Sequence, residues 1–567
     1  MAKLPPPDPR RLKSLPLIED GIFRYRQGRA AEAEDLFRQV LKKVPDQPDA
    51  LFFLGLLKID QQNPSDALKL MSKAIKTAPQ FAEAHFVTGS ILNMLGRPWD
   101  AVEAYDRAIA IKPDHVNALN DLGNTWGILG RTDDALAAYD KAIAAAPELA
   151  MTYNNKGAIL AETQRFDEAI ANYDRALALK PDYAEAYNNR GAALLVLSHP
   201  DQALASFEQA LALRPDYAEA INNKGTALQG LDRHQEALSW HQRALALNPN
   251  NASAHLGIAN AYLALGNYEA GWAEYEWRWG TKDLAPFRKD RRCPLWTGDQ
   301  PLEHKSILLH AEQGYGDMVQ FARYVPIVAR RGARVMLEVP RPLQVLFGSL
   351  EGVSQLICRG DKLPASDFHC PLLSLPRAFR TNVHTIPAET PYLRAASDHR
   401  EKWKARLAGH SGRKIGLAWS GRPYPRNRSI PLVTLEPLFS LPGITFVSLQ
   451  QELADTDLAL VRDRTNVVHF GKELQDFADT GGVISCLDLV LSIDTSVAHL
   501  AGAMGKPLWL LLQFGSDFRW LVDRDDNPWY PTARLFRQAK TGDWESVVDR
   551  VHHELCLSAA SNVPTIS

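Results

Sequence analysis

Small and apolar residues recur at a fixed interval through the first half of the chain. Pro45, Pro79, Pro113, Pro147, Pro181, Pro215 and Pro249 stand 34 residues apart, and Gly21, Gly55, Gly89, Gly123, Gly157, Gly191 and Gly225 keep the same interval. Ala33, Ala67, Ala101, Ala135, Ala169, Ala203 and Ala237 follow each glycine by twelve residues. Phe37, Tyr105, Tyr139, Tyr173 and Phe207 follow the alanine by four. Within one unit Leu119, Leu122, Gly123 and Trp126 fall at i, i+3, i+4 and i+7, an apolar stripe on a first helix. Each proline ends a second helix, because it lacks an N–H and restricts the residue before it. Gly123 and Ala135 are small enough for the paired helices to approach closely. No unit buries its stripe alone, so the units must stack.

Unit starts at 14, 48, 82, 116, 150, 184 and 218 give seven repeats, and a degenerate eighth begins near Ala252, the first and last acting as caps. The eighth keeps Tyr262, Gly266 and Tyr275 in phase but carries Trp272, Trp277 and Trp279. That cluster reads as a seam between domains rather than a ligand box, since aromatics dominate buried contacts. Beyond the run from Arg288 to Pro294 the period is lost, and short β-rich runs alternate with amphipathic stretches, the signature of parallel α/β structure. Strands are predicted at SILLH (306–310), RVMLEV (334–339) and SQLIC (354–358), with a helical run from Asp317. The proline-rich segment 385–395 is read as the crossing to a second lobe, with strands at KIGLAWSG, ITFVSLQ, NVVHF, DLVLSID and LWLLLQF. The predicted domains are a tail (1–13), a helical-repeat solenoid (14–280) and two α/β lobes (281–395 and 396–567).

Composition narrows the function classes. A chain of 567 residues is too long for one core and has room for roughly three or four domains. With 46% apolar and 23% charged residues, and no run of ~18 apolar residues, no transmembrane segment is expected. The first ten residues contain no apolar signal region, so a cytoplasmic location is expected. The five cysteines are widely spaced and read as reduced thiols. A net charge of -2 gives no polybasic field, so nucleic acid is not an expected partner.

The 34-residue pattern is that of the tetratricopeptide repeat. Similar folds turn defined positions of each first helix into a groove, and here those positions hold Asn117, Asn120, Asn124, Asn154, Asn155, Asn188, Asn189, Asn222, Asn223 and Asn260. Asparagine is a poor helix former, and a carboxamide both donates and accepts, so a ladder of them could bind an extended peptide backbone. Repeat duplication alone would also produce the recurrence. In this respect the array resembles the solenoid of the eukaryotic O-GlcNAc transferases, which implies a protein acceptor in the groove. Lys156, Arg190 and Lys224 are expected to pack their stems and reach water with their heads.

In the second half, the loop AEQGYGD places Gly314 and Gly316 at a tight turn and Asp317 at a helix start. The segment 489–512 ends a buried strand at Asp494-Thr495-Ser496 and carries His499 one turn into a helix. Amides at such a helix start bind anions. A plain N-cap by Asp317, and by Asp494 or Thr495, is the structural alternative. Arg422, Arg426 and Arg428 follow the first strand of the second lobe and suit bidentate phosphate contacts, or are simply solvated.

These motifs resemble the heptosyltransferases, glycosyltransferase family 9, with Ser496 in place of the usual glycine and the family's basic-loop lysine missing. The resemblance implies a GT-B fold of two Rossmann-like lobes, Asp317 as catalytic base, and Arg426, Arg428, Asp494, Thr495, Ser496 and His499 as donor-binding residues. It further implies an inverting glycosyltransferase with a nucleotide sugar as co-substrate and no cofactor; a metal-independent transfer is expected, since no His or Cys cluster has metal-ligand spacing. Similar repeat-fused bacterial transferases modify flagellin on Ser or Thr, which makes flagellin an expected acceptor. A repeat scaffold with a non-catalytic transferase-like domain, a donor-binding sensor, and a transferase acting on lipid or polysaccharide stay open.

Overall fold

The computed structural model describes residues 9–282, 284–285, 288, 293–312, 314–421 and 428–560. Among these residues, sixteen helices run from Pro9 to Tyr275. From Pro48 they alternate in pairs that keep the 34-residue phase: Pro48–Asp60 with Pro64–Thr77, Ala82–Met94 with Pro98–Ile111, Val116–Ile128 with Thr132–Ala145, and so on to Ala252–Ala264 with Tyr268–Tyr275. The first helix starts at Pro9, ahead of residue 14, since proline is tolerated in a first turn. The residues before the periodic prolines leave the helix as their position demands: Ala78, Lys112, Ala146 and Lys180 have φ between -128° and -144°. The periodic glycines mark close helix crossings. A Cβ on Gly123 would lie 2.6 Å from the Tyr139 ring, and one on Gly157 the same distance from Tyr173.

The chain forms two compact units, Met1–Ala193 and Leu194–Ser567. In the first, Lys156 pairs with Asp140 at 2.5 Å and Arg190 with Asp174 at 2.6 Å; in the second, Lys224 pairs with Glu208 at 2.9 Å. Each pair joins a first helix to the second helix of the preceding repeat. The three basic heads, expected in solvent, therefore serve as inter-repeat contacts, each of small energetic weight because the partner is solvated.

The second unit contains the last repeats and two parallel sheets. The smaller sheet holds β1 (Ser306–His310), β2 (Arg334–Val339), β3 (Val353–Cys358) and β4 (Phe368–Pro371) in the order β3-β2-β1-β4. The larger holds β5 (Arg413–Ala418), β6 (Ile444–Ser448), β7 (Val467–His469), β8 (Leu489–Ile493), β9 (Leu508–Leu512) and β10 (Ala533–Arg537) in the order β10-β9-β8-β5-β6-β7. All pairings between these strands are parallel. The central strands β8 and β9 are buried along their whole length and β5 from Ile415 onward, as in a parallel sheet covered on both faces. β10 escaped the sequence reading: its two arginines interrupt the apolar run, and it lies at the sheet edge, where Arg534 reaches Glu554 at 2.8 Å.

One continuous core runs from the last repeat into both sheets and includes Tyr268, Trp272, Phe321, Leu309, Trp529 and Leu510. Trp272 meets Phe321 and Phe518 edge-on at 5.9 and 5.8 Å, and the Trp529 indole N–H donates to the Tyr268 hydroxyl at 3.0 Å. Trp272 is therefore the seam that the aromatic cluster predicted. Trp277 is not: it is exposed and stacks on His255 at 3.9 Å. Beside the seam, buried Arg278 makes a bidentate pair with buried Glu312 (2.9 and 3.0 Å) and donates to Ser374.

Candidate functional site

In each sheet the chain reverses direction of growth next to its first strand: β1 is flanked by β2 and β4, and β5 by β6 and β8. Open parallel sheets bind ligands outside the carboxyl ends of strands at such switch points. The loops leaving β1, β5 and β8 line one cavity of about 930 Å³, which includes Gly314, Asp317, Gly421, Arg428, Asp494 and Thr495.

Ser496–Ala503 is a helix entered directly from β8. Thr495 is its N-cap in extended geometry, yet its side chain makes no capping bond, lying instead 3.3 Å from the Ser492 hydroxyl. A plain side-chain cap is thus not what this segment builds. Among the described residues no group accepts from the Ser496 and Val497 amides, and both residues line the cavity. Two unsatisfied N–H groups and the positive helix end make this point favourable for an anion. Arg428 stands alongside, its guanidinium near Gly421, and its Nε is buried without a hydrogen-bond partner. Arg422 and Arg426 lie outside the described residues.

Gly314 and Gly316 do not make the predicted tight turn. Gly314 is an extended N-cap (φ -71°, ψ 170°) of helix Tyr315–Phe321, and Gly316 lies within that helix. Gly316 is needed for a close approach instead, because a Cβ there would come 2.7 Å from His499 Cδ2. Asp317 takes the helix-start role in reciprocal form, its Oδ2 accepting the Gly314 N–H at 3.1 Å. Its Oδ1 receives the guanidinium of Arg519, which also bonds Asp517 at 2.7 Å and Gln320 at 2.9 Å.

Asp317, Asp494 and Asp517 therefore share one recess with Arg519 and Arg428. Burial raises the Asp317 pKa, and Arg519 opposes that shift. Asp494 is pushed up to about 6, first by burial and then by Asp517, against the partial pull of Arg519 and Arg428. His499 is held neutral, its pKa lowered well below the usual imidazole value by burial and by the charges of Arg519 and Arg323. Its Nδ1 is hydrogen-bonded to the Tyr530 hydroxyl at 3.0 Å, and its Nε2 lies 3.7 Å from Asp494. Among the described residues no cluster of three or more His, Cys, Asp or Glu side chains is disposed to hold a metal ion.

Sequence reasoning missed Arg519 and Asp517. Their segment, Gly515-Ser516-Asp517-Phe518-Arg519, follows the buried strand β9, and an acidic and a basic residue just beyond the carboxyl end of such a strand was the available signal.

The asparagines separate into two groups. Asn120, Asn154, Asn188 and Asn222 are buried, so they are not the open groove faces expected of them. In the first unit Asn155 donates to Asn120 at 3.3 Å and Asn189 donates to Asn154 at 3.1 Å, which links successive repeats. Asn124 accepts from the Tyr139 hydroxyl at 2.6 Å, and in the second unit Asn222 Oδ1 pairs with His241 at 2.9 Å. The amide's capacity to donate and accept is largely spent inside the array. Asn155, Asn189 and Asn223 keep partly exposed side chains.

Comparison with known proteins agrees with the repeat period. Residues 24–87, 100–150 and 184–217 match families described as tetratricopeptide repeat, and 157–197 and 231–266 match one described as TPR repeat. Protein FlbA of Caulobacter vibrioides is 28% identical over 332 residues, covering 53% of this chain and 55% of that protein. The chain thus spans about half the length of that relative. Among solved structures, MamA is 26% identical with a TM-score of 0.27 and aligns with 29% of this chain and 96% of its own. PilW, a type IV pilus biogenesis factor, is 23% identical with a TM-score of 0.35, over 36% and 96%. The N-terminal region is therefore a helical tetratricopeptide-repeat array, and an α/β region with parallel sheets follows it.

Proposed function

We propose that the second unit is a glycosyltransferase of GT-B type, akin to glycosyltransferase family 9, that moves a sugar from a nucleotide-sugar donor to a Ser or Thr hydroxyl of a protein held by the repeats. The observation that carries this reading is the open start of helix Ser496–Ala503, whose free amides and neighbouring Arg428 share a cavity with the Asp317 carboxylate. The amides of Ser496 and Val497 and the Arg428 guanidinium hold the donor phosphate. They oppose the charge that grows on it as the bond to the anomeric carbon breaks. Asp317 takes the proton of the attacking hydroxyl, and Arg519 keeps that carboxylate ionised and oriented until the transfer. Asp494 accepts from hydroxyls of the donor, and neutral His499 fixes the carboxylate's surroundings.

A second reading, a donor-binding module without turnover, is favoured by one contact, the ion pair of Asp317 with Arg519, which occupies the proposed base. A single experiment separates the two. The purified chain is incubated with a panel of nucleotide sugars and candidate protein acceptors, flagellin among them, and the proteins are read by intact mass. The expected result is an increment of one sugar on an acceptor. Donor binding with no increment for any pair would overturn the transferase reading in favour of the binding module.

A further inference from the structure

Behind the wall of the large cavity, Tyr530 is fully buried, and its hydroxyl meets Nδ1 of His499 at 3.0 Å. Packing sets this contact. The Tyr530 ring rests on helix Ser496–Ala503 at Gly502, where a Cβ would lie 2.3 Å from Cδ1, and its N–H is held by the Asn527 carboxamide at 3.1 Å. Asn527 in turn donates to the Arg519 carbonyl at 2.8 Å. His499 is confined between Gly316 and Trp520, on which it stacks at 5.3 Å.

A neutral imidazole carries its proton on one nitrogen, and the partners of the two nitrogens decide which. Burial and the charges of Arg519 and Arg323 keep His499 neutral, and burial keeps the phenol proton on Tyr530. On the Nδ1 side, the field favours a phenol that donates. Buried Arg323 donates to the carbonyls of Gln320, Pro387 and Trp529 and to the Tyr392 hydroxyl, and its guanidinium lies 4.7 Å from the centre of the Tyr530 ring. No carboxylate among the described residues pairs with it. Tyr392 spends its own proton on the Val319 carbonyl at 2.9 Å. A hydroxyl dipole beside an uncompensated cation turns its oxygen to the cation and its proton away, here toward Nδ1. On the other side, Nε2 lies 3.7 Å from Asp494 Oδ1, where a proton is attracted to the ionised carboxylate and a lone pair is repelled. Both sides select the same tautomer. Nε2 itself makes no hydrogen bond within the protein and is not sealed in, so it opens on the cavity that His499 lines.

We propose that Tyr530 is a positioning residue: its hydroxyl donates to Nδ1 and holds His499 as the Nε2–H tautomer, so that a fixed N–H donor stands beside the Asp494 carboxylate in the donor cavity. The role of that N–H, to orient Asp494 for the hydroxyls of the nucleotide sugar, rests on the transfer reading above; the tautomer does not. The full chain labelled with 15N-histidine is read by long-range 1H–15N correlation, which tells the two neutral tautomers apart, and the His499 signals are identified by their loss in His499→Gln. Tyr530→Phe removes the hydroxyl and keeps the ring against Gly502, and circular dichroism compares its melting with that of the parent.

The expected result is the Nε2–H tautomer in the parent and loss of that single form in Tyr530→Phe. In the transfer assay the variant should lower kcat/KM by about 2–10-fold, the worth of one hydrogen bond. The limb of the pH profile set by Asp494 should also move to higher pH, because an Nε2 lone pair disfavours the ionised carboxylate, while Arg519, Arg428 and Asp517, the other charges acting on Asp494, stay in place. An Nδ1–H tautomer in the parent, or an Nε2–H tautomer unchanged in Tyr530→Phe, overturns the proposal; should the variant fail to fold, the parent spectrum still decides. A tautomer that depends on Tyr530 in a chain that transfers no sugar leaves this inference standing and removes the transferase reading. Transfer with a tautomer independent of Tyr530 does the reverse.

Discussion

Asp317 has two partners that decide what it can do. The Gly314 amide and Arg519 both favour its ionised form, while burial works against them. Under the proposed function Asp317→Asn keeps the amide contact but cannot take a proton. Turnover should fall by about 10²–10⁴-fold with donor affinity little changed, a split read by steady-state kinetics alongside donor calorimetry. Asp494 has the stronger pH signature. Its pKa of about 6 in the folded chain lies above the ordinary carboxylate value, so it gains a proton on folding. Its contribution to stability is fully present below the ordinary carboxylate range and is lost as pH rises through about 6. Asp494→Asn should therefore raise the melting temperature near pH 7.5 and leave it almost unchanged near pH 4. In the parent, kcat/KM should rise through about pH 6 as Asp494 ionises, and that limb should vanish in the variant.

Among the elements, the repeat helices depend on missing side chains as much as on those present. Gly123 sits where a Cβ would be 2.6 Å from the Tyr139 ring, and Tyr139 is buried, with its hydroxyl donating to Asn124. Gly123→Ala should destabilise the first unit by about 1–3 kcal/mol, the range for overpacking a well-filled contact, measured by urea unfolding of a chain ending before the second unit. Gly130, with φ +70° and no atom within 4 Å of the place a Cβ would take, tests a different effect. Its alanine variant should cost only the left-handed backbone penalty, about 1 kcal/mol. In the α/β part, helix Tyr315–Phe321 and helix Ser496–Ala503 approach through Gly316, and this contact brings the Asp317 and Thr495 loops to one cavity.

For the whole molecule, the division into compact units predicts where the chain can be cut. Tyr268, Trp272 and Arg278 belong to the last repeat and its following turn, yet they are buried against Trp529, Phe321 and Glu312. A chain beginning at residue 281 would expose that seam and leave Glu312 buried without its guanidinium, a loss of about 3–5 kcal/mol from the ion pair alone. It should be insoluble or molten by circular dichroism and dye binding. A chain beginning at Ala184 keeps the second unit and should melt cooperatively. The 34-residue period, the paired helices, the ends set by proline and nearly all strands were legible from local pattern, because helix stripes, proline geometry and buried strand runs are properties of neighbouring residues. Trp272 could be read as a seam for the same reason, from an aromatic cluster out of phase with the repeat. Only the tertiary structure decided the rest: that Arg519 reaches Asp317 across about two hundred positions of sequence, that Asn120, Asn154, Asn188 and Asn222 turn inward, and that Gly316 serves a helix contact rather than a turn. Those outcomes depend on which surfaces meet after folding, and no local pattern carries the partner's identity.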